Sequence, residues 1–257
     1  MSKIVSLHSF RGGTGKSNIT ANVAAQFARK GKRVGVIDTD IQSPGIHVLF
    51  GMDQGKIDKA LNDFLWGRCS IEEAAYDVGV RVGEGEVVLM SGGIYLIPSS
   101  IRAGDIARVL REGYDVSLLN EGFRTLVKKL NLDYLFIDTH PGLNEETLLS
   151  IAISNAVVII LRPDQQDFQG TAVTVDVSRK LGVPAMVLVV NMALTSYDPE
   201  ALRRDIEAAY DCPVAAVLPL SEDVALAASS EIFSITSPDH VFSEGIRSVV
   251  AAIEAAE

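Results

Sequence analysis

Short apolar runs recur along the chain, separated by amphipathic stretches. Residues 4–7, 34–37, 134–137, 157–161, 186–190 and 214–218 are each mostly apolar without alternation. That is the pattern of strands covered on both faces. Between them, residues 17–30, 171–181 and 199–210 carry apolar positions at helical spacing. Strands alternating with helices predict an α/β fold: a doubly wound, mostly parallel sheet with helices on both faces. One region breaks the rhythm. Residues 78–82, 86–90 and 94–97 are strand-like and separated by glycine-rich turns at 83–85 and 92–93. They predict a small antiparallel excursion at a sheet edge, near 78–98. No linker, repeat or low-complexity tract interrupts the chain, so a single domain over 1–257 is expected.

Composition narrows the class. The 257 residues are 47% hydrophobic and 22% charged, ordinary for a globular protein that buries a sizeable core. Cys69 and Cys212 are the only cysteines. They form no CxxC pair, which argues against a metal or cluster site within one chain. The N-terminus has no signal-peptide layout and no run of 18 apolar residues occurs, so a cytoplasmic location is expected. The net charge of −10 gives no general attraction to DNA or anionic lipid.

The chemistry concentrates in Arg11-Gly12-Gly13-Thr14-Gly15-Lys16-Ser17. This segment follows the first predicted strand and opens the first predicted helix. Glycines let backbone N–H groups face phosphate oxygens, and the helix N-terminus adds partial positive charge. Lys16 is placed to bridge terminal phosphates and Ser17 to offer its hydroxyl to Mg²⁺. The strict GxxxxGK[ST] pattern fails, because Phe10 stands at the first glycine position. A Lys16→Ala change is expected to lose ATP binding and leave the fold intact.

This loop resembles the deviant Walker A segment, KGGxGK[ST], of the MinD/ParA family of P-loop ATPases. Further segments follow in the family's order. Asp38-Thr39-Asp40 resembles the first switch, with Gln42 after it, and Asp138-Thr139-His140-Pro141-Gly142 resembles the second, usually DTPPG. Asn191 stands where the family reads adenine, and Pro219 with Leu220 resembles its second base-contacting turn. There are two departures: Arg11 replaces the hallmark lysine, and His140 replaces the first proline of the second switch. The resemblance implies a site for ATP or ADP built from Gly12, Gly13, Thr14, Gly15, Lys16, Ser17, Asn18, Asn191, Pro219 and Leu220. It implies that Ser17, Asp38 and Asp138 serve Mg²⁺, and that Asp40, Lys16 and Arg11 carry catalysis. Arg11 would reach the phosphates of a partner subunit in an ATP-dependent homodimer.

The residues agree independently. Asp138 follows an apolar run and so sits at a strand's carboxyl end, where ligands bind in open α/β sheets. Asp38 and Asp40, two apart, point the same way. A carboxylate that orients water suits a loose phosphoryl-transfer transition state. The expected function is a slow, partner-stimulated ATPase switch that positions or regulates another macromolecule. The alternative is a P-loop metabolic enzyme, an ATP-dependent synthetase or kinase, with residues 52–111 supplying a second substrate pocket. A nitrogenase-iron-protein-like reductase would want paired cysteines that the chain lacks. At the C-terminus, Phe242, Ile246, Val249, Val250 and Ile253 share a helix face. The polar face carries Glu244, Arg247, Glu254 and Glu257, acidic on balance, which predicts packing on the body and not membrane binding. Nucleic-acid binding by an assembled dimer is left open, although charge does not indicate it.

Overall fold

A computed structural model describes residues 2–82, 86–88, 91–227 and 229–256. Its strands are β1 (Lys3–His8), β2 (Val34–Asp38), β3 (Tyr76–Val78), β4 (Val80–Val82), β5 (Glu86–Val88), β6 (Ile94–Ile97), β7 (Tyr134–Asp138), β8 (Ala156–Leu161), β9 (Ala185–Ala193) and β10 (Val214–Pro219). Eight of them form one sheet in the order β10-β9-β8-β1-β7-β2-β6-β3. Every neighbouring pair is parallel except β3 with β6. All six strands predicted from apolar runs are present.

Alternation along each strand divides the core. Val36, Phe136, Val158 and Ile160 face one side, packed with the helices Lys16–Arg29 and Val241–Ala255. Ile37, Leu135 and Ile137 face the other, against Leu119, Phe123 and Leu126 of the helix Ser117–Lys129. Farther along that side, Val157 and Ile159 pack with Val175 and Ile206, from the helices Gln165–Lys180 and Pro199–Tyr210. Burial on both faces is why these strands read as unbroken apolar runs.

The predicted excursion takes a different shape. Residues 94–97 run parallel to β2 inside the main sheet, with Val34 opposite Ile94. The antiparallel pairs are β3 with β6, and the separate two-stranded hairpin of β4 and β5. The reason is burial: Ile94, Leu96 and Ile97 are fully enclosed, which an edge hairpin would not provide. The predicted turn at 83–85 and the end of the run at 89–90 lie outside the described residues. In the 52–111 region, Leu61, Leu65, Ile71 and Ala74 are buried beside Phe123 and Leu126. The final helix buries Phe242, Ile246, Val249, Val250 and Ile253 against β10 and the helix Lys16–Arg29, the packing that its apolar face predicts; Glu257 lies outside the described residues. Among the described residues, no helix is long and apolar enough to cross a membrane.

One feature of the topology places the site. The chain leaves β1 toward the face of the helix Lys16–Arg29, and leaves its neighbours β7 and β8 toward the opposite face. Such a divergence opens a crevice at the carboxyl ends of the strands.

Candidate functional site

The glycine-rich loop spans this crevice from β1 to the helix Lys16–Arg29. Gly13 and Gly15 have left-handed φ values of 77° and 82°, which favour glycine. A Cβ on Gly15 would also meet Asn191 Nδ2 at 2.4 Å. The helix Lys16–Arg29 therefore begins without a side-chain cap, and its first N–H groups are left for an anionic ligand.

Lys16 and Asp138 form the centre. Lys16 Nζ donates to Asp138 Oδ1 at 2.7 Å, and the side chains are 7% and 1% exposed. Thr20, one helical turn beyond Lys16, donates to the same oxygen at 3.3 Å. Asp138 Oδ2 is buried without a hydrogen-bond partner. In the parallel register Asp138 lies beside both Leu7 and Asp38. Asp38 is fully buried and accepts from the backbone N–H groups of Asp40 at 3.0 Å and Gly45 at 3.2 Å. Burial, reinforced by the neighbouring Asp138, holds its carboxyl well above the usual carboxylate range. Asp40 is less enclosed. Its Oδ1 accepts from Ser43 N at 3.1 Å and lies 3.8 Å from His140 Nδ1. Burial raises its carboxyl too, while His140 and Lys16 oppose that rise.

Gly12, Gly13, Thr14, Gly15, Lys16, Ser17 and Asn18 line a cavity of about 420 Å³, faced by Asp40 and His140. A second cavity of about 270 Å³ adjoins it, sharing Gly15 and Asn18 and lined by Asn191, Pro219 and Leu220. Both fall within or near the usual range for ligand pockets. The structure thus brings together almost all the residues singled out from sequence. Asn191, however, does not present a free amide to the second cavity: its Nδ2 donates to Thr14 O at 2.8 Å, so one of its hydrogen-bonding edges braces the loop.

Arg11 stands apart from the cavity. Its Nη1 donates to Gln166 Oε1 and lies 3.9 Å from Asp167 Oδ1, on its own chain's helix Gln165–Lys180. The Arg11 side chain is 40% exposed, whereas Asp167 is buried. Arg11 therefore rests against its own chain's helix Gln165–Lys180.

The donor set fits Mg²⁺. Ser17 is half-buried on the cavity wall, and Asp138 has an oxygen without a hydrogen-bond partner. Among the described residues there is no cage of three or more His, Cys, Asp or Glu. Mg²⁺ needs none, because it keeps several waters and binds largely through substrate phosphates.

Sequence reasoning missed Thr20 and His8, and it named Thr139 only within the second-switch segment. Thr20 was legible, being four residues after Lys16 on one helix face. His8 ends β1 fully buried, its Nδ1 2.8 Å from Thr139 Oγ1 and its Nε2 without a hydrogen-bond partner. Burial, then Lys16 and His140, lowers its pKa to about 3. Below about pH 6.5 the unfolded chain accepts a proton that the fold refuses. This component of stability should therefore be lost as pH falls from about 6.5 to about 3. Asp38, raised in the fold, works in the opposite direction, so the component is read by difference. His8→Asn should lose less stability than the wild type between pH 7 and pH 5, measured by urea unfolding. Equal losses would refute the assignment.

Comparison with known proteins agrees with the geometry. The family model described as ParA, a NUBPL iron-transfer P-loop NTPase, matches residues 1–253. An uncharacterised ATP-binding protein of Methanocaldococcus jannaschii is 26% identical over 254 residues, covering 98% of this chain and 88% of the relative. An iron-sulfur cluster carrier protein of the same organism is 31% identical over 194 residues, covering 74% of this chain but 60% of the carrier. Among solved structures, the cell division ATPase MinD of Pyrococcus furiosus superposes with a TM-score of 0.81 at 22% identity, each chain fully covered. MinD of Pyrococcus horikoshii, complexed with Mg-ADP, gives 0.80 at 20% identity, covering 99% of this chain and 96% of that one. The chain belongs to the MinD/ParA family of P-loop NTPases.

Proposed function

We propose that this protein is a Mg²⁺-dependent, ATP-hydrolysing switch that acts as one domain and pairs with a second copy when ATP is bound. The observation that carries this reading is the buried Lys16–Asp138 pair set beneath an uncapped, glycine-rich helix start. A cation held there by a carboxylate is poised to exchange that partner for phosphate oxygens. The larger cavity takes the phosphates and the adjoining one the nucleoside. Ser17, with Asp38 and Asp138, would hold Mg²⁺, which would supply charge neutralisation to the phosphates. Asp40 orients the attacking water. The water oxygen bonds to the γ-phosphorus, and the bond to the bridging oxygen breaks with its electron pair left on ADP. One water proton stays on the released phosphate, and the other leaves to solvent by way of Asp40.

Hydrolysis would reset which macromolecule the protein holds, so the output is positioning or regulation of a partner. The iron-sulfur carrier named among its relatives raises a second reading. Clusters are held by cysteine thiolates. Here Cys212 is buried, its sulfur donating to Met186 O, with its thiol pushed up to about 11, and Cys69 sits in a different core cluster. Those placements favour the switch without a cluster.

Arg11 tests the pairing. Arg11→Ala should retain ATP binding by the monomer but lose the ATP-dependent mass increase and most hydrolysis. Arg11→Lys, which restores the family's usual residue, should retain much of both. A bidentate contact to phosphate in a water-poor interface is strong. Light scattering with a slowly hydrolysed ATP analogue decides it: an undiminished mass increase for Arg11→Ala rejects the cross-subunit role.

A further inference from the structure

β9 carries an extra residue near its end. Val190 stands opposite Val217 and Ala193 opposite Pro219, so Asn191 and Met192 together face the single residue Leu218. This is a bulge, a device that re-aims a side chain. Met192 adopts a left-handed φ of 57° there, a conformation that glycine takes without strain. Among the described residues, the other non-glycine positions with left-handed φ are Asn131, Asp211 and Ser229, all short and polar. Met192 is the long apolar side chain held this way, and backbone strain of this kind gathers at functional sites.

The position of the side chain indicates its use. Met192 is half-buried and lines the smaller of the two cavities with Pro219, Leu220 and Val224. Its Cε reaches the glycine loop, 3.7 Å from where a Cβ on Gly15 would stand, and Gly15 is common to both cavities. The thioether therefore lies near the seam where a nucleotide passes from its phosphates to its nucleoside. Leu220, in the same cavity, is 52% exposed, apolar surface that the same ligand would cover. Asn191 beside Met192 is pinned to Thr14 O, which ties the bulge to the loop. A thioether is polarizable and packs favourably on aromatic rings.

We propose that Met192 is a base-contacting residue, its thioether packing against the flat face of an aromatic base, and that the strained bulge is retained because it aims the side chain there. The proposal rests on the nucleotide reading given above and deepens it. Glycine at this position would relax the backbone but leave that side of the base against water. The contact is apolar and non-directional, so it favours an aromatic base without reading its exocyclic groups.

Calorimetric titration of ATP and of inorganic tripolyphosphate, each with Mg²⁺, into wild type, Met192→Gly, Met192→Leu and Lys16→Ala tests it. Met192→Gly should bind ATP roughly 5- to 20-fold more weakly than wild type. Its affinity for tripolyphosphate, which has no base, should stay within about twofold. Met192→Leu keeps an apolar side chain and should stay within about threefold of wild type for ATP. Glycine suits the backbone here, so the fold should survive, which urea unfolding checks. A merely structural role for Met192 would weaken tripolyphosphate as much as ATP. If Met192→Gly binds ATP like wild type, loses tripolyphosphate to the same degree, or is no weaker than Met192→Leu, the base contact is wrong. The nucleotide reading then stands so long as Lys16→Ala binds neither ligand. If Lys16→Ala binds both ligands like wild type, the loop is not the nucleotide site, and the proposal falls with it.

Discussion

Lys16→Ala should abolish ATP binding and also destabilise the protein in the absence of nucleotide. The first effect follows from removing the one cation that the glycine loop encloses. The second follows from the pair itself. Asp138 is 1% exposed, and deleting Lys16 leaves its charge buried with only Thr20 as a side-chain donor. Breaking a buried pair in this way typically costs about 3–5 kcal/mol. The sequence alone suggested an intact fold for this variant; the buried partner changes that expectation. Adding Asp138→Ala should restore part of the stability and none of the binding, which separates the two effects. Calorimetric titration and urea unfolding read them out. Unchanged ATP affinity in Lys16→Ala would remove the loop from the nucleotide site.

Asp40→Ala should bind ATP normally and hydrolyse it at least roughly 10²-fold more slowly, the usual scale for loss of a positioning group. It should also accumulate as an ATP-bound dimer on size exclusion. The fold should tolerate the change. Asp40 is only partly enclosed, and the loop it belongs to is tied down by Asp38, which accepts from the backbone of both Asp40 and Gly45. The side chain itself contributes one local hydrogen bond, from Ser43 N, worth about 1 kcal/mol. Asp38 would be the wrong residue for this test, because it is fully buried and holds the loop's shape. Normal turnover in Asp40→Ala would move water positioning elsewhere.

What the sequence disclosed follows physical lines. β1, β2, β7, β8 and β9 are buried over most of both faces, and the edge strand β10 alternates between buried and half-buried positions, so each prints a mostly apolar run. The site residues were visible because they end those runs: Asp38 closes β2, Asp138 closes β7, and the glycine loop follows β1. The far edge was harder. β3 to β6 have three or four residues each, too few for their periodicity to set direction, and only tertiary burial makes β6 parallel to β2. Contacts across long separations left no local trace either. Lys16 meets Asp138 across 122 positions and Asn191 meets Thr14 across 177. Arg11 could be recognised as a cation of the loop, but its turn toward Gln166 depends on how the helix Gln165–Lys180 packs on β8.

Phosphate release from ATP is the measurement closest to the central claim. Wild type, Lys16→Ala and Asp40→Ala should be compared at equal concentration, with Mg²⁺ and again with the metal chelated. The wild type should release phosphate slowly but measurably above both variants, and chelation should bring it down to their level. Release that is equal in all three proteins, and indifferent to Mg²⁺, would contradict the account.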